Sequence, residues 1–306
     1  MRIGLALPQY GPFADALHLT RLACAAERAG FDSLWVGDRA LVPVEPRSLY
    51  STPEGPGPIP REYRAFLDPV SVLGAVAAVT ERVRLGTNVL VAPWYPPVLL
   101  ARTLASVDRL SGGRLDVGLG LGWSRDEYQA IGVPYEGRGE RVEEVLDVLD
   151  ALWAEDGPAQ HKGRLWSVPP SHVELGPVQR PRPPVYLAAF HPSALARVGR
   201  RADGWLPADL PVPVLGHMWS AVRRAAAEAG RDPEALRMVL RTNPVLGPAS
   251  APRHPAGNTV ESVAAYLRAG AEAGAEEALI DLQMTVRSPE EFLDVAGSLL
   301  DRLRAD

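Results

Sequence analysis

The sequence has a single cysteine among its 306 residues, so it cannot form a disulfide within the chain. That residue, Cys24, lies in an alanine-rich helical stretch, where a small buried side chain is expected. No apolar run approaches the roughly 18 residues of a membrane span. The apolar start at residues 1–8 is too short for a signal peptide. These absences favour a cytoplasmic protein that is stabilised by its apolar core.

An excess of charge of one sign is missing as well. There are 32 lysines and arginines against 37 acidic residues, and the arginines are dispersed. A nucleic acid or an anionic membrane binds a clustered basic patch, so neither is an expected partner. The six histidines are scattered, without a helical i, i+4 pair or a cysteine partner, so no metal site is predicted. A P-loop and a Gly-x-Ser-x-Gly motif are also absent from the sequence.

Short β-rich runs alternate with longer helical patterns, which is typical of a parallel sheet built from βα units. We predict strands near 2–7, 32–36, 83–91, 114–119, 184–189, 203–206, 237–242 and 277–282. We predict helices near 14–29, 68–80, 97–110, 138–154, 193–201, 214–229, 259–273 and 289–304. The turn at residues 8–12 lacks the Gly-x-Gly-x-x-Gly of an open doubly wound sheet. Residues 1–306 are therefore predicted to form one α/β domain, a (β/α)8 TIM barrel.

Two segments are longer than compact connections. Residues 40–66 are rich in proline and carry Tyr50, Tyr63 and Phe66. They leave the C-terminal end of a strand, which is the catalytic face of a barrel, so we expect an active-site lid there. Residues 155–183 follow a helix and are predicted to be an insertion, with short alternating pieces at 165–168 and 172–175.

Polar residues stand at the ends of the second and third predicted strands. Asp38 can accept hydrogen bonds from the N–H groups of a ligand, or it can cap a turn and pair with Arg39. Thr87 and Asn88 interrupt an apolar run and are expected at the barrel mouth.

The aromatic pair Trp94 and Tyr95 follows the third strand, where it can form either a wall for a planar ligand or a packed turn. In the fourth strand Gly118, Gly120 and Gly122 fall on one face. Glycines in register indicate either that something approaches the backbone closely or that the barrel interior is tightly packed.

Small residues at the end of the fifth strand meet the start of a helix. Ala188 and Ala189 are followed by Ser193 in the first helical turn. Free N–H groups and the helix dipole suit a phosphate at such a position.

Taken in order, these pieces resemble the bacterial luciferase-like flavin monooxygenase family, and within it the branch that uses the deazaflavin F420. The most specific stretch lies within residues 83–139 and contains RLGT, LSGGRL, GLGLGW and GVPYEGRG. The phrases GLALP, GFDSLW and ADGW elsewhere in the chain fit too. The resemblance therefore covers nearly the whole chain.

The resemblance implies a barrel, commonly dimeric, with the cofactor across its C-terminal mouth. It also implies a non-proline cis peptide, which by position is Asn88–Val89. Contacts to the cofactor's ring or ribityl chain are implied for Asp38, Thr87, Asn88, Val89, Gly120 and Ser124. Contacts to its phosphate are implied for Ala188, Ala189, Phe190, His191 and Ser193.

The chain departs from the family pattern at two places. The F420 branch usually has Asp-His where this chain has Asp38 and Arg39. Because arginine is always charged, Arg39 can stabilise negative charge that develops on the ring. The family tends to have Gly-Gly-Ser-like residues where this chain has Ala189, Phe190 and His191, so Phe190 narrows the phosphate pocket.

The resemblance implies an oxidoreductase that transfers a hydride between F420 and a small organic substrate. Asp38 and Arg39 are the expected catalytic residues. The substrate is expected among Gln9, Arg39, Trp94, Tyr95 and Trp123. One alternative is an FMN-dependent monooxygenase with a flavin reductase as partner, and another is a redox-inactive barrel that acts as a binding subunit.

Overall fold

The computed structural model describes residues 1–52, 55–155, 157–247 and 254–305. Its strands are β1 (Arg2–Ala6), β2 (Ser33–Val36), β3 (Tyr50–Thr52), β4 (Gly55–Gly57), β5 (Arg84–Thr87), β6 (Leu90–Val91), β7 (Leu115–Gly120), β8 (Ala159–Lys162), β9 (Ser167–Ser171), β10 (Val185–Leu187), β11 (Gly204–Trp205), β12 (Arg237–Thr242) and β13 (Glu277–Ile280). Its helices are α1 (Ala16–Ala29), α2 (Pro69–Ala77), α3 (Pro97–Leu110), α4 (Arg125–Ile131), α5 (Arg138–Trp153), α6 (Pro192–Arg201), α7 (Val212–Glu228), α8 (Val260–Glu272) and α9 (Pro289–Arg304).

Eight of the strands in these ranges form a closed parallel barrel. The order of neighbours is β1, β2, β5, β7, β10, β11, β12 and β13, and β13 pairs back with β1. The main apolar core lies between this barrel and the surrounding helices. The predicted (β/α)8 fold is thus confirmed. Within the same ranges, no helix has the length and apolar character needed to cross a membrane.

The helices form where the sequence supplies caps and one apolar face. Ser288 begins α9 by accepting a hydrogen bond from the backbone N of Glu291 at 3.2 Å. Gly30 ends α1 with a φ of 97°, a left-handed conformation that glycine adopts without strain. In α5 the predicted apolar face is buried and consists of Val142, Val145, Leu146, Leu149 and Trp153.

Two helical features differ from the predictions. The short helix α4 was not predicted, because its 7 residues are too few to display an apolar repeat. Cys24 is half-buried rather than fully buried. Its Sγ lies 3.2 Å from the carbonyl oxygen of Val79, which is itself exposed just beyond the end of α2.

The third predicted strand is not continuous. It consists of β5 and β6, which are separated by Asn88 and Val89. The Asn88–Val89 peptide bond is cis, as the family resemblance implied. Beyond it, β6 pairs with β7 through Leu90 and Val91 and is parallel to β7, as β5 is, so the chain stays on the barrel across the break.

The two long segments each contain a small antiparallel hairpin. Within residues 40–66, β3 pairs with β4. Within residues 155–183, β8 pairs with β9, which includes part of the predicted piece at 165–168. The alternating residues 172–175 form no strand in the structure, and Val173 and Leu175 are exposed.

A layer of charged and polar side chains fills the N-terminal end of the barrel. Glu277 is fully buried and accepts hydrogen bonds from Ser33 Oγ at 2.5 Å and Trp35 Nε1 at 3.0 Å. Arg2 lies 2.9 Å from its second carboxylate oxygen. Burial raises the pKa of Glu277, although Arg2 opposes that rise. This layer closes the N-terminal end of the barrel. An apolar cluster inside the barrel lies next to it and consists of Ala6, Trp35, Tyr186, Leu206, Val239 and Leu279.

The three glycines of the fourth predicted strand are approached closely by the chain itself. A Cβ at Gly118 would overlap the carbonyl oxygen of Thr87, and one at Gly120 would lie 2.5 Å from Val89 Cγ2. The interior next to β5 and β6 is therefore tightly packed, which was the second interpretation of the glycine pattern.

Replacing Gly118 with alanine is expected to lower the free energy of unfolding by about 1–3 kcal/mol. The added Cβ would overlap the backbone carbonyl oxygen of Thr87, which cannot move aside as a flexible side chain could. The matched control is Gly74→Ala, where no atom lies within 4 Å of the added Cβ. Since Gly74 is inside α2, alanine there should add about 0.5–1 kcal/mol. Urea denaturation measures both variants. Equal stability of the two would contradict the packing argument.

Candidate active site

The C-terminal end of the barrel opens into a cavity of about 790 Å³. This volume is in the range of small-molecule and cofactor sites. Its walls come from the carboxyl ends of the strands and from the connections that follow them, where such barrels place their active sites. Most of the predicted site residues line it: Gln9, Asp38, Arg39, Asn88, Val89, Trp94, Gly120, Trp123, Ala188, Ala189, Phe190 and His191.

Four predicted residues are not among the lining residues: Thr87, Tyr95, Ser124 and Ser193. Thr87 is fully buried, and its Oγ1 exchanges hydrogen bonds of 2.7 and 2.8 Å with the backbone of Gly118. Ser124 caps α4, where its Oγ accepts a hydrogen bond from the backbone N of Glu127 at 3.3 Å. The hydroxyl groups of Thr87 and Ser124 thus form hydrogen bonds with the protein's own backbone, within the wall of the cavity.

The carboxylate of Asp38 lies on the cavity wall with two hydrogen bonds to the same oxygen. Its Oδ2 accepts from the backbone N of Val91 at 3.0 Å and from the hydroxyl of Tyr95 at 2.8 Å. Burial raises the pKa of Asp38 to about 6, although both hydrogen bonds act in the opposite direction. A carboxyl group with this pKa changes its charge near neutral pH, as groups at functional sites often do.

Arg39 pairs with Glu127 of α4, not with Asp38. Its Nη2 donates to Glu127 Oε2 at 2.8 Å, and the two side chains are 6% and 1% exposed. The other oxygen of Glu127 accepts from the backbone N of Ala40 at 2.8 Å. Sequence reasoning missed Glu127 because it lies 88 residues from Arg39, on the helix that was not predicted.

Aromatic rings enclose the guanidinium group of Arg39. Its central carbon lies 4.5 Å from the ring centre of Trp123 and 5.1 Å from that of Tyr63. Tyr50 packs edge-on against Trp123 at 5.6 Å, and Phe66 packs against Tyr63 at 6.0 Å. Three of these rings come from residues 40–66, so the segment covers the part of the cavity around Arg39.

Helix α4 also holds the segment of residues 40–66 in place. Arg47 donates to Asp126 with its Nε at 2.8 Å and with its backbone N at 3.0 Å. The backbone N of Arg125 donates to Ser48 Oγ at 3.0 Å. One helix therefore carries both the partner of Arg39 and the attachment of the covering segment.

Four buried side-chain donors that line the cavity have no hydrogen-bond partner among the described residues. They are Arg39 Nη1, Asn88 Nδ2, Trp94 Nε1 and Arg138 Nε. A buried donor without a partner destabilises a protein by about 1–3 kcal/mol, so such groups call for an explanation. All four belong to residues that line the cavity, so a ligand that fills it with acceptor atoms would give these donors partners.

Two of these donors, Trp94 and Arg138, share one cluster of aromatic rings. Trp94 packs edge-on against Tyr128 at 6.0 Å, and Tyr128 packs in turn against Tyr135. The guanidinium carbon of Arg138 lies 3.9 Å from the ring centre of Tyr135. Trp94, predicted to contact the substrate, thus shares its surroundings with Arg138 at the start of α5.

The start of α6 reaches the same cavity. Ala188, Ala189, Phe190 and His191 line it directly before the helix begins at Pro192. Ser193 Oγ lies 3.0 Å from His191 Nδ1. Phe190 is 54% exposed, so its ring stands at the rim rather than inside the pocket.

Arg241 is a cavity residue that sequence analysis missed. It donates to Asp281 Oδ2 at 2.5 Å, to the carbonyl oxygen of Asn88 at 2.9 Å and to Asn243 Oδ1 at 2.9 Å. It therefore fixes the peptide group at the break between β5 and β6. The signal available in the sequence was a charged residue directly after the apolar residues Met238, Val239 and Leu240 of β12.

A second polar group that the sequence did not reveal, the partly buried Asp209, lies beside Arg241. Asp209 accepts hydrogen bonds from the backbone N and the Nδ2 of Asn243, at 3.0 and 2.8 Å. His254 Nε2 lies 2.9 Å from Asp209 Oδ1. Burial alone would raise the pKa of Asp209, but His254 and Asn243 lower it below its usual value.

Gln9 joins the ends of β1 and β2. Its Nε2 donates to the carbonyl oxygens of Gly37 and Leu67, both at 3.0 Å, and its Oε1 accepts from the backbone N of Gly37 at 2.5 Å. Its backbone N donates to Gln283 Oε1 at 2.8 Å. Gln9 is 1% exposed, so it shapes the floor of the cavity.

The family model for luciferase-like monooxygenases matches residues 2–300. An uncharacterised protein from Mycobacterium tuberculosis is 34% identical over 254 residues, which cover 80% of this chain and 85% of that protein. A solved F420-dependent secondary alcohol dehydrogenase with an F420–acetone adduct has a TM-score of 0.81 and 18% identity, over 99% of both chains. The oxygenating constituent of 3,6-diketocamphane monooxygenase from Pseudomonas putida, in complex with FMN, has a TM-score of 0.77 and 15% identity, over 100% of this chain and 98% of that chain. The chain therefore belongs to the luciferase-like monooxygenase family.

Proposed function

We propose that this protein is an oxidoreductase in which the deazaflavin F420 exchanges a hydride with a small organic substrate. The observation that carries the proposal is the set of unpaired donors around the cavity. The pyrimidine edge of a flavin or deazaflavin has carbonyl acceptors, and its side chain carries hydroxyls and a phosphate. The donors of the cavity therefore fit the acceptors of such a cofactor.

The residues divide into regions that match the parts of the cofactor. Asn88 would donate to the ring, and Arg138 with the start of α6 would hold the phosphate. The bound cofactor supplies the hydride chemistry, while the protein supplies position and electrostatics. Asp38, on the same wall, would accept a hydrogen bond from a ring N–H when it is charged.

The space beyond Phe190 favours F420 over FMN. A second cavity of about 390 Å³ shares Phe190 with the main one, and its other charged or titratable lining residues are His217, Arg224 and Glu228. F420 continues past its phosphate into an acidic tail, whereas FMN ends at the phosphate. An acidic tail that leaves the main cavity would find room and a basic group there.

The test is a titration of the purified protein with oxidised F420 and, separately, with FMN, followed by tryptophan fluorescence. We expect micromolar binding of F420 and weaker binding of FMN. Asn88→Ala should weaken F420 binding at least tenfold, and the matched control Gly74→Ala should leave it unchanged. Preference for FMN would instead support the monooxygenase with its reductase partner. Failure to bind either would refute both and leave a binding subunit.

A further inference from the structure

His254 is a buried histidine that lies behind the wall of the main cavity. Its side chain is 6% exposed, and it is not among the residues that line the cavity. Its Nδ1 accepts a hydrogen bond from the backbone N of Ala256 at 3.1 Å, so Nδ1 carries no proton. The proton of the neutral ring is therefore on Nε2, the atom that lies next to Asp209.

Asp209 connects His254 to the cavity. Its Oδ1 lies 2.9 Å from His254 Nε2, although the N–H is not aligned on the oxygen and Nε2 forms no directed hydrogen bond among the described residues. Asp209 lines the cavity, and it is the one non-glycine residue of the described ranges with a positive φ, at 51°. Such a conformation persists only where the surroundings hold it, and it is frequent at functional sites. The contacts of its carboxylate are part of what holds Asp209.

Asn243 passes the position of this carboxylate on to Arg241. Its Nδ2 donates to Asp209 Oδ2 at 2.8 Å, and its Oδ1 accepts from Arg241 Nε at 2.9 Å. The amide cannot be turned over, because its donor must meet the carboxylate and its acceptor must meet the guanidinium group. Asp209 therefore determines which end of the amide faces Arg241. Hydrogen bonds that follow one another in this way also polarise each other.

Arg241 extends the series of contacts to Asn88. Its Nη1 donates to the carbonyl oxygen of Asn88 at 2.9 Å, and its Nη2 donates to Asp281 at 2.5 Å. Each nitrogen of the guanidinium group thus has a partner, which fixes both its plane and its direction. Asn88 Nδ2 is the unpaired cavity donor that the proposed function assigns to the ring of the cofactor. A displaced guanidinium group would release the peptide group of the residue that carries this donor.

We propose that His254 is a positioning residue for the cofactor site. It acts at a distance through a series of contacts that we call the positioning chain, made up of His254, Asp209, Asn243, Arg241 and Asn88. This inference rests on the proposed function, because it takes the cofactor to bind at the end of the chain. A histidine with a structural role alone would stabilise its own connection and leave the cofactor site unchanged.

NMR spectroscopy of the free protein tests the positioning chain without a cofactor. The readout is the side-chain Nε–H signal of Arg241, assigned by its loss in Arg241→Lys. His254→Asn keeps an acceptor for the backbone N of Ala256 but has no group at the position of Nε2, so we expect the signal to shift. His254→Gln places an amide near the position of Nε2 and should restore most of the original signal. His254→Leu carries the same expectation as His254→Asn if that variant does not fold.

Titration with oxidised F420, followed by tryptophan fluorescence, tests the consequence for the site. We expect His254→Asn to weaken binding about fivefold, and His254→Gln to weaken it less than about twofold. When Asn243→Ala has already broken the positioning chain, His254→Asn should have little further effect.

The matched control is His161→Asn. His161 also lies beside a carboxylate, with its Nε2 3.4 Å from Glu144 Oε1, and its side chain is 13% exposed. It is not among the lining residues of the cavity. This variant should therefore change neither the Arg241 signal nor the affinity for F420.

The outcomes separate this inference from the proposed function. A shifted Arg241 signal in a protein that binds no F420 would support the positioning chain and refute the proposed cofactor. An unchanged Arg241 signal in folded His254→Asn would overturn the inference, and so would an unchanged affinity for F420 in that variant. Equal effects of His254→Asn with and without the side chain of Asn243 would contradict the route through Asn243.

Discussion

Arg241→Met is expected to lower the free energy of unfolding by about 3–5 kcal/mol, because it leaves the carboxylate of Asp281 buried without its partner. Asp281 is 1% exposed, and its Oδ2 lies 2.5 Å from Arg241 Nη2. The same substitution releases the carbonyl oxygen of Asn88. We therefore expect F420 binding to weaken as well. Urea denaturation measures the first effect and fluorescence titration the second.

Two further variants separate stability from binding. In the double variant Arg241→Met with Asp281→Asn, the buried charge is gone, so at least half of the lost stability should return while F420 binding stays weak. Arg237→Met removes a charge from the same strand, but Arg237 is 45% exposed and lies 3.8 Å from its partner Glu276. That control should change stability by less than about 1 kcal/mol. A similarly small loss for Arg241→Met would contradict the argument.

Asp38→Asn is expected to raise the free energy of unfolding by about 3 kcal/mol at pH 8, since the rise in pKa from 3.8 to about 6 corresponds to roughly that energy. Below pH 3.8 the carboxyl group is protonated in both the folded and the unfolded chain, so its burial has no charge penalty. Between pH 3.8 and about 6 the unfolded chain loses the proton first, and the penalty grows with pH. Above about pH 6 the penalty is constant.

The measurement is urea denaturation of both proteins at intervals from pH 4 to pH 8. The stability difference should be near zero at pH 4 and reach its full size above pH 6. Asp126→Asn is the control, because the hydrogen bonds from Arg47 lower the pKa of Asp126 despite some burial. That variant should lose stability at pH 8, the opposite sign. A pH-independent difference for Asp38→Asn would show that the carboxyl group does not titrate as the structure indicates.

Sequence reasoning predicted the parts of the site that depend on position along one strand. Asp38 and Asn88 follow apolar strands, and the carboxyl ends of parallel strands must meet at one face of a barrel. It missed Glu127 and Asp281, whose importance comes from pairing with residues far away in the chain. Nothing in a local pattern indicates which acidic residue a given arginine will meet.

The same distinction explains the fold predictions. Strands and helices have local periods, so each of the eight predicted units overlaps an observed one. Residues 172–175 alternate between polar and apolar side chains but form no strand, because a strand also needs a neighbour to pair with. The glycines of β7 showed that something comes close, yet only the structure identifies it as the backbone and side chains of the adjacent strand.

Helix α4 links residues 40–66 to Arg39. It binds Arg47 through Asp126 and Arg39 through Glu127, so both contacts depend on the position of one helix of 7 residues. A change that displaced α4 would therefore alter the attachment of residues 40–66 and the orientation of the Arg39 guanidinium group together.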